Sequence, residues 1–245
     1  MPTFRHGKNI SVLFDQFDLS TYFNSVSTSA MAEAVETTTF GSTSKTFQVG
    51  TKDGTISFEG LLDSTAGAVD AVLAAATSAT VQNITVAIEG ATIGRRAQLV
   101  QSNNTSYEIA SAVADMVTVS AEAQATGTKG TMDSGVLLAA KQTVTATVQN
   151  SSVDNTAATT NGGVGLLHVT ANTRDGAATV KIQHSANNST WADLAVFTNT
   201  VASTLTSERI EVVAATTVNR YLRVNVSALG GSSGSLTITV GFARR

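Results

Sequence analysis

The sequence predicts a mainly β protein with a single α-helix, arranged as two successive parts. Valine and threonine dominate short runs in which apolar and polar residues alternate, the period of a strand with one buried face. Serine and threonine make up about a quarter of the 245 residues, while aromatic residues are only 5% and charged residues 13%. Hydrophobic residues reach 42%, enough for a core, and the single proline is Pro2, so no proline-rich linker separates domains.

Taken in order, Ser11–Phe17 and Leu19–Val26 are the first strand candidates. A polar arm follows over about residues 30–55. Its centre, Glu36-Thr37-Thr38-Thr39-Phe40-Gly41 through Lys45, Phe47, Lys52 and Asp53, has too few apolar residues to pack on a core of its own. Yet it keeps Phe40 and Phe47, and exposed aromatics are favourable where a partner covers them, so the arm is expected to be ordered against a neighbouring subunit. Asp53-Gly54 is expected to turn tightly, because both residues tolerate positive φ. Thr55–Leu62 then alternates as a strand.

One helix is expected over about 65–77. Ser64 or Thr65 would cap it and Asp70 would meet its positive end. Its apolar residues Val69, Val72, Leu73 and Ala76 follow the i, i+3, i+4, i+7 spacing. Strands are then expected at Asn83–Glu89, Arg95–Ser102, Ser106–Ala112 and Met116–Ala125, with Ser102-Asn103-Asn104-Thr105 as a hairpin connection. The small polar run over 127–135 is the expected boundary, dividing the chain into 1–130 and 131–245.

The second part reads as a β-sandwich. Its strand candidates are Gln142–Gln149, Leu166–Ala171, Ala178–His184, Leu194–Thr198, Glu208–Val213, Arg220–Val226 and Ser235–Ala243. Trp191, in a turn before Leu194 and Phe197, is expected to cover one end of that core. No internal repeat relates the two parts.

Charge and composition exclude several function classes. Residues 1–130 hold seven Lys/Arg against twelve Asp/Glu, −5, and residues 131–245 eight against six, +2. Neither part has the basic excess of a protein that grips phosphate backbones. With no cysteine there is neither a disulfide framework nor a thiolate site. The opening MPTFRHGKNISVLF lacks the apolar run of a secretion signal, and no stretch approaches the roughly 20 apolar residues of a membrane span. Synthesis and assembly in a host cytoplasm, without membrane contact, are therefore expected.

Catalytic chemistry has little to work with. His6, His168 and His184 stand apart from any nucleophile elbow, no metal-ligand spacing occurs, and GGVGLL at Gly162–Leu167 lacks the following helix that phosphate cradling requires. No enzyme activity and no cofactor are expected. A hydrolase built on His168 or His184 is the reading to be weighed against that.

One pattern remains. In Thr55–Leu62, Asn83–Glu89 and Met116–Gln124, apolar residues alternate with small polar ones, and each strand sends one carboxylate, Glu59, Glu89 or Glu122, away from the core. The bland interpretation is a solvated sheet face. The sharper one is the wall of an anionic channel, in which like charge keeps a passing duplex from adhering.

Residues 6–130 resemble the major tail tube proteins of long-tailed, siphovirus-type bacteriophages. The resemblance rests on HGK at His6–Lys8, ETTTFG from Glu36 to Gly41, KDGTISFEGLLD at Lys52–Asp63, TSYEI at Thr105–Ile109 and VSAEAQATG at Val119–Gly127, in that order. It implies a β-sandwich with one flanking helix, six copies per ring with inner sheets closing into a continuous barrel, and rings stacked into a virion tail tube. It also implies that the arm contacts a neighbouring subunit or ring, that tape measure and tail end proteins are partners, and that DNA passes without specific binding. TTNGGVGLLHVTA, VKIQHSANNSTWADL and TVNRYLRV resemble a β-sandwich domain appended to tube proteins of some actinobacterial phages. Carbohydrate binding or adhesion, and capsid decoration, are the alternative readings.

Overall fold

Alternating small residues build sixteen strands among the described residues, which are 6–78, 81–127 and 131–245 of a computed structural model. After a 3-10 turn at Gly7–Asn9 come β1 (Ser11–Phe14), β2 (Phe17–Asp18), β3 (Phe23–Glu36), β4 (Phe47–Leu61), α1 (Val69–Ala76), β5 (Gln82–Ala87), β6 (Arg96–Ala110) and β7 (Thr118–Ala125). The remainder are β8 (Asp133–Val144), β9 (Val148–Gln149), β10 (Val153–Asp154), β11 (Gly163–Asn172), β12 (Ala178–Ser185), β13 (Ala192–Val196), β14 (Thr206–Val212), β15 (Tyr221–Leu229) and β16 (Leu236–Arg244).

The chain divides into two compact units, and the division is not the expected cut between 130 and 131. One unit joins the described residues up to Thr21 and Asn83–Val100 to Asp133–Arg245. The other comprises the described residues of 22–82 and 101–132. The reason is strand pairing. Arg96–Leu99 of β6 pair antiparallel with Asp133–Val136 of β8, and β1 pairs along β5, so these early strands share a sheet with the later ones. Part of the expected linker, 128–130, lies outside the described residues; its end is strand, because β8 starts at Asp133.

In the first unit one sheet runs β14-β11-β16-β8-β6-β5-β1-β2, and a second is built from β13, β12 and β15 with β9 and β10 on the far side of β15. Leu138, Leu167, Val169, Val180, Ile182, Phe197, Leu222, Val224, Ile238 and Val240 form the layer between them, all at most 1% exposed. A second apolar cluster, Ala87, Ala97, Leu99, Leu137, Leu166 and Ala243, lies on the sheet where β6 meets β8. Arg245 locks the chain end by donating from Nε and Nη2 to Asp133, both at 3.0 Å, and from Nη1 to Glu211 at 2.7 Å.

The other unit is a sheet of β3, β4, β7 and residues 102–110 of β6. Ile56, Phe58, Val119, Ala121 and Ala123 line its buried face, with Phe23 stacked on Phe58 at 5.0 Å. All four expected apolar residues of α1 are buried, but the helix begins at Val69 with Ala68 as its uncapped start. Ser64 and Thr65 instead belong to a turn in which Asp63 Oδ1 accepts from the Thr65 amide at 2.9 Å.

Three local expectations are corrected. Ser11–Phe17 is not one strand, because Asp15 adopts φ 50° and turns the chain between β1 and β2. Asp53-Gly54 is not a turn: both sit inside β4, paired with Met31 and Ala30. Ser102–Thr105 is not a hairpin connection but the middle of β6, with a bulge between Asn104 and Ser106. The amide groups of Asn104 and the Thr105 hydroxyl have partners there, Thr105 donating to the Glu122 carbonyl at 3.1 Å. Asn104 donates to the Leu73 carbonyl at 3.2 Å and its amide to Gln82 Oε1 at 3.2 Å, while Gln82 donates to the Ala76 carbonyl at 3.3 Å. The carbonyls of the end of α1 thus make a polar sequence compatible with a buried strand.

Candidate functional site

The polar arm forms a regular element. β3 and β4 pair from Phe23↔Gly60 to Glu36↔Phe47, so the arm is a long antiparallel hairpin. β7 covers β4 only over Thr55–Leu61, leaving Phe47–Gly54 and their partners on β3 as a two-stranded ribbon. At about 3.3 Å per residue this ribbon projects roughly 25 Å beyond the last β7 pair. Its tip is held by Thr37 N–H to the Thr46 carbonyl at 2.8 Å and by Lys45 Nζ against Glu36 at 3.2 Å, with Gly41 at φ 91° supplying the turn. At the base, a Cβ on Gly60 would lie 2.2 Å from the Tyr22 carbonyl oxygen, so glycine lets β3 start against β4.

The ribbon exposes the apolar residues that a self-sufficient hairpin would hide. Phe40 is fully exposed, Phe47 56%, Val49 72% and Met31 60%, with Val35 also exposed. Lys52 and Asp53 stand on opposite faces of β4, and Gln124 donates to Asp53. A two-stranded ribbon is marginal in water by itself, and this one has no covering layer among the described residues. Among the described residues β3 also pairs with β4 alone, so its outer edge presents backbone groups without strand pairing along fourteen residues. The devices that normally blunt such an edge are sparse: there is no proline or lysine, only Glu33 and Glu36.

The solvent face of the same sheet is a set of polar rows. Strand register aligns Ser29, Thr55, Gln124 and Asn103, then Ser27, Ser57, Glu122 and Ser106, then Ser25, Glu59, Ser120 and Glu108. Glu59, Glu108 and Glu122 are exposed, and none of these twelve positions is cationic. Two strand spacings separate Glu59 from Glu108, about 10 Å, so their fields overlap within a Debye length at moderate salt. The structure therefore brings Glu59 and Glu122 together and adds Glu108, which Ser106-Tyr107-Glu108-Ile109 alternation could have signalled. Glu89 is not with them. The expected strand Asn83–Glu89 ends at Ala87, and Glu89 belongs to the turn that follows, in the other unit, where its carbonyl accepts from Arg95 at 3.3 Å.

At the opposite end of this sheet from the ribbon, the β6–β7 loop exposes Val113 and Met116, with Ile109 and Leu61 also exposed on the flanking strands. The loop frames an open hollow of about 390 Å³ lined by Ala110, Ser111, Ala112, Asp115, Met116 and Thr118.

The histidines singled out in the sequence have structural partners. His168 is wholly buried on β11; its Nδ1 lies 2.6 Å from the Asp15 carbonyl and its Nε2 2.7 Å from Thr85 Oγ1. A carbonyl only accepts, so Nδ1 carries the proton and Thr85 donates to Nε2. Burial pushes this imidazole down to about 4. Asp15 completes the cluster by accepting from the Asn83 amide at 2.8 Å and Ser207 Oγ at 2.9 Å, and burial raises its carboxyl above the usual range. Thr85, expected on a solvent face, is thus a core residue at 0% exposure, and no substrate reaches His168 or Thr85 from solvent. His184 accepts the Asn219 amide at 3.3 Å. Among the described residues no helix is long and apolar enough to cross a membrane, and no three metal-ligating side chains converge.

No protein-family model matches the chain, and the search of curated proteins found no match. Solved structures do resemble it. A chain from the virion of a native gene transfer agent particle is 18% identical, with 51% of this chain and 95% of that chain covered at a TM-score of 0.41. A chain from the tail of an empty gene transfer agent particle, refined with C6 symmetry, is 16% identical over 51% of this chain and 96% of that one, TM-score 0.39. The SPP1 Dit protein, described as a paradigm of the hub adsorption apparatus in phages infecting Gram-positive hosts, is 11% identical over 95% and 98% of the two chains, TM-score 0.34. At these scores and identities the likenesses carry no argument about what this chain does.

Proposed function

We propose that this chain is a structural subunit of a phage-type tail, the tube protein, which assembles with copies of itself into hexameric rings stacked around a channel for DNA. The observation that carries the reading is the sheet of β3, β4, β7 and the end of β6. It combines an unprotected fourteen-residue edge, a projecting ribbon with uncovered Phe40 and Phe47, and an outer face of small polar residues and carboxylates. Edge-to-edge addition of identical sheets is a heterologous contact, and such a contact closes into a ring when the rotation permits. The ribbon at one end of the sheet and the exposed Val113 and Met116 at the other suit axial repetition. Burial on the order of 1,000 Å² or more at each contact would stabilise the assembly.

In this arrangement the face bearing Glu59, Glu108 and Glu122 lines the bore. Like charge repels a passing phosphate backbone, and short side chains leave the channel open. The resemblance of 6–130 to tail tube proteins supports the same reading, and tape measure and tail end proteins are the partners it implies. The location would be the virion tail.

Electron microscopy of the purified, concentrated chain tests this. Tubes of uniform diameter with an axial repeat and sixfold end views are expected. A chain that sediments as a monomer and forms no rings at any concentration tried would overturn the proposal.

A further inference from the structure

We infer that the outer face of the β13-β12-β15 sheet is a binding platform for an anionic glycan, a polymer of hydroxyl-rich units carrying carboxylate or phosphate groups. The strand period sends Val180, Ile182, Leu222, Val224 and Val226 into the core, so Lys181, Gln183, Tyr221, Arg223 and Asn225 point the other way. There the side chains form one connected line. Lys181 Nζ and Gln183 Nε2 each donate to the Asp193 carboxylate at 2.7 Å. Arg223 donates from Nε and Nη2 to Gln183 Oε1 at 3.0 and 2.9 Å. Its guanidinium lies 4.1 Å above the ring of Trp191, which stands in the loop before β13.

Arg223 is the unusual member. Lys181 has Asp193 and the nearby Arg220 has Asp154, bidentate at 2.7 and 2.6 Å, but among the described residues Arg223 has no carboxylate partner. Its charge is held half-buried, fixed in direction by a ring on one face and an amide at one edge, and burial draws its pKa down without a counter-charge to oppose it. A guanidinium ordered in advance, with N–H groups left over, loses little freedom on meeting a planar or tetrahedral anion. Around it Trp191, Tyr221, Asn225 and Gln149 supply the ring surface and amides that sugar rings and hydroxyls use. An anionic glycan is favoured over a neutral one because the uncompensated charge is the feature that internal bonding leaves unexplained.

The test uses the full-length chain in affinity electrophoresis through gels containing polygalacturonate, poly(glycerol phosphate) or neutral dextran. Retardation by one or both anionic polymers, and by dextran at least about tenfold more weakly, is expected; which polymer retards more strongly separates carboxylate from phosphate recognition. Arg223→Gln should weaken retardation by about tenfold or more, Arg223→Lys should restore only part of it, and Trp191→Ala should weaken it as well. Lys8→Gln, which removes equal charge far from the platform in sequence and element, should change nothing. Thermal midpoints measured on the same samples identify any variant that has lost its fold, and Arg223→Lys then remains as the informative substitution. Equal retardation by dextran, no retardation by either anionic polymer, or unchanged retardation in both folded Arg223 variants would overturn the platform.

Discussion

Phe40 and Phe47 make the most direct statement at the level of single residues. Large aromatics are ordinarily the anchors of a core, yet Phe40 is fully exposed and Phe47 more than half exposed. Replacing either by serine should leave the subunit's stability within about 0.5 kcal/mol of the parent by thermal or chemical denaturation. The same replacement should sharply reduce the yield of assembled particles in sedimentation. Loss of folding instead would assign the rings to the subunit's own core. His168 carries the opposite kind of prediction. Its folded-state pKa lies near 4 against 6.5 unperturbed, so the unfolded chain takes up the proton first. Stability tied to the neutral imidazole is complete above about 6.5 and drains away as pH falls toward 4, by up to roughly 3 kcal/mol. Asp15, whose carboxyl is raised, offsets part of this near the bottom of the window, since protonating it relieves a buried charge. A denaturation series between pH 7 and 4 should show this loss, and His168→Gln should flatten it. An equally steep loss in that variant would move the acid sensitivity elsewhere.

Among the elements, the β3–β4 ribbon and the sheet it extends would, in the proposed tube, divide the labour between association and passage. The edge of β3 and the ribbon offer contacts, while the face of β4, β7 and β6 offers none that a polyanion would favour. Exchanging Glu59, Glu108 and Glu122 together for lysine should therefore leave assembly intact and convert the bore into a trap. Assembled variant particles mixed with short duplex DNA should hold some of it in a nuclease-resistant form, whereas parent particles hold none. Fully nuclease-sensitive DNA in both would remove this face from the channel. The helix has a plainer role. Leu73 is fully buried and its carbonyl accepts from Asn104, so α1 closes the apolar side of this sheet. Leu73→Ala should cost about 2–5 kcal/mol in equilibrium unfolding.

For the molecule as a whole, the division into compact units predicts where the chain can be cut. Residues 131–245 contain the whole second sheet, but they lack the β6 residues that pair with β8 and the Asp15 and Thr85 groups that satisfy His168. Expressed alone, this segment would expose Leu137 and Leu166 where Ala97 and Leu99 belong and would bury a histidine without partners. It is expected to aggregate or to lose several kcal/mol of stability, measured against the full chain by denaturant titration. A cooperative, equally stable fragment would show that the expected boundary near 130 is a true one.

By itself the sequence determined what depends on local periodicity. Period-two alternation marked most strands of the later sandwich, the 3.6-residue spacing marked the buried face of α1, and a polar stretch retaining two phenylalanines marked the arm. Composition gave no basic excess of the kind that grips phosphate backbones, and no cysteine. What it could not reveal depends on partners distant in the chain. Ser102–Thr105 reads as a turn until the end of α1 supplies carbonyls for Asn104, and Asp53-Gly54 reads as a turn until β3 supplies the pairing that keeps β4 extended. Thr85 looks solvent-facing until His168 and Asp15 arrive from distant positions on either side of it in the chain to bury it. The anionic face likewise gains Glu108 and loses Glu89 only when register decides which strands are neighbours. Alternation encodes which side of a strand is polar; only the tertiary structure, by choosing the partners that satisfy each backbone and polar group, decides which polar sides become one surface.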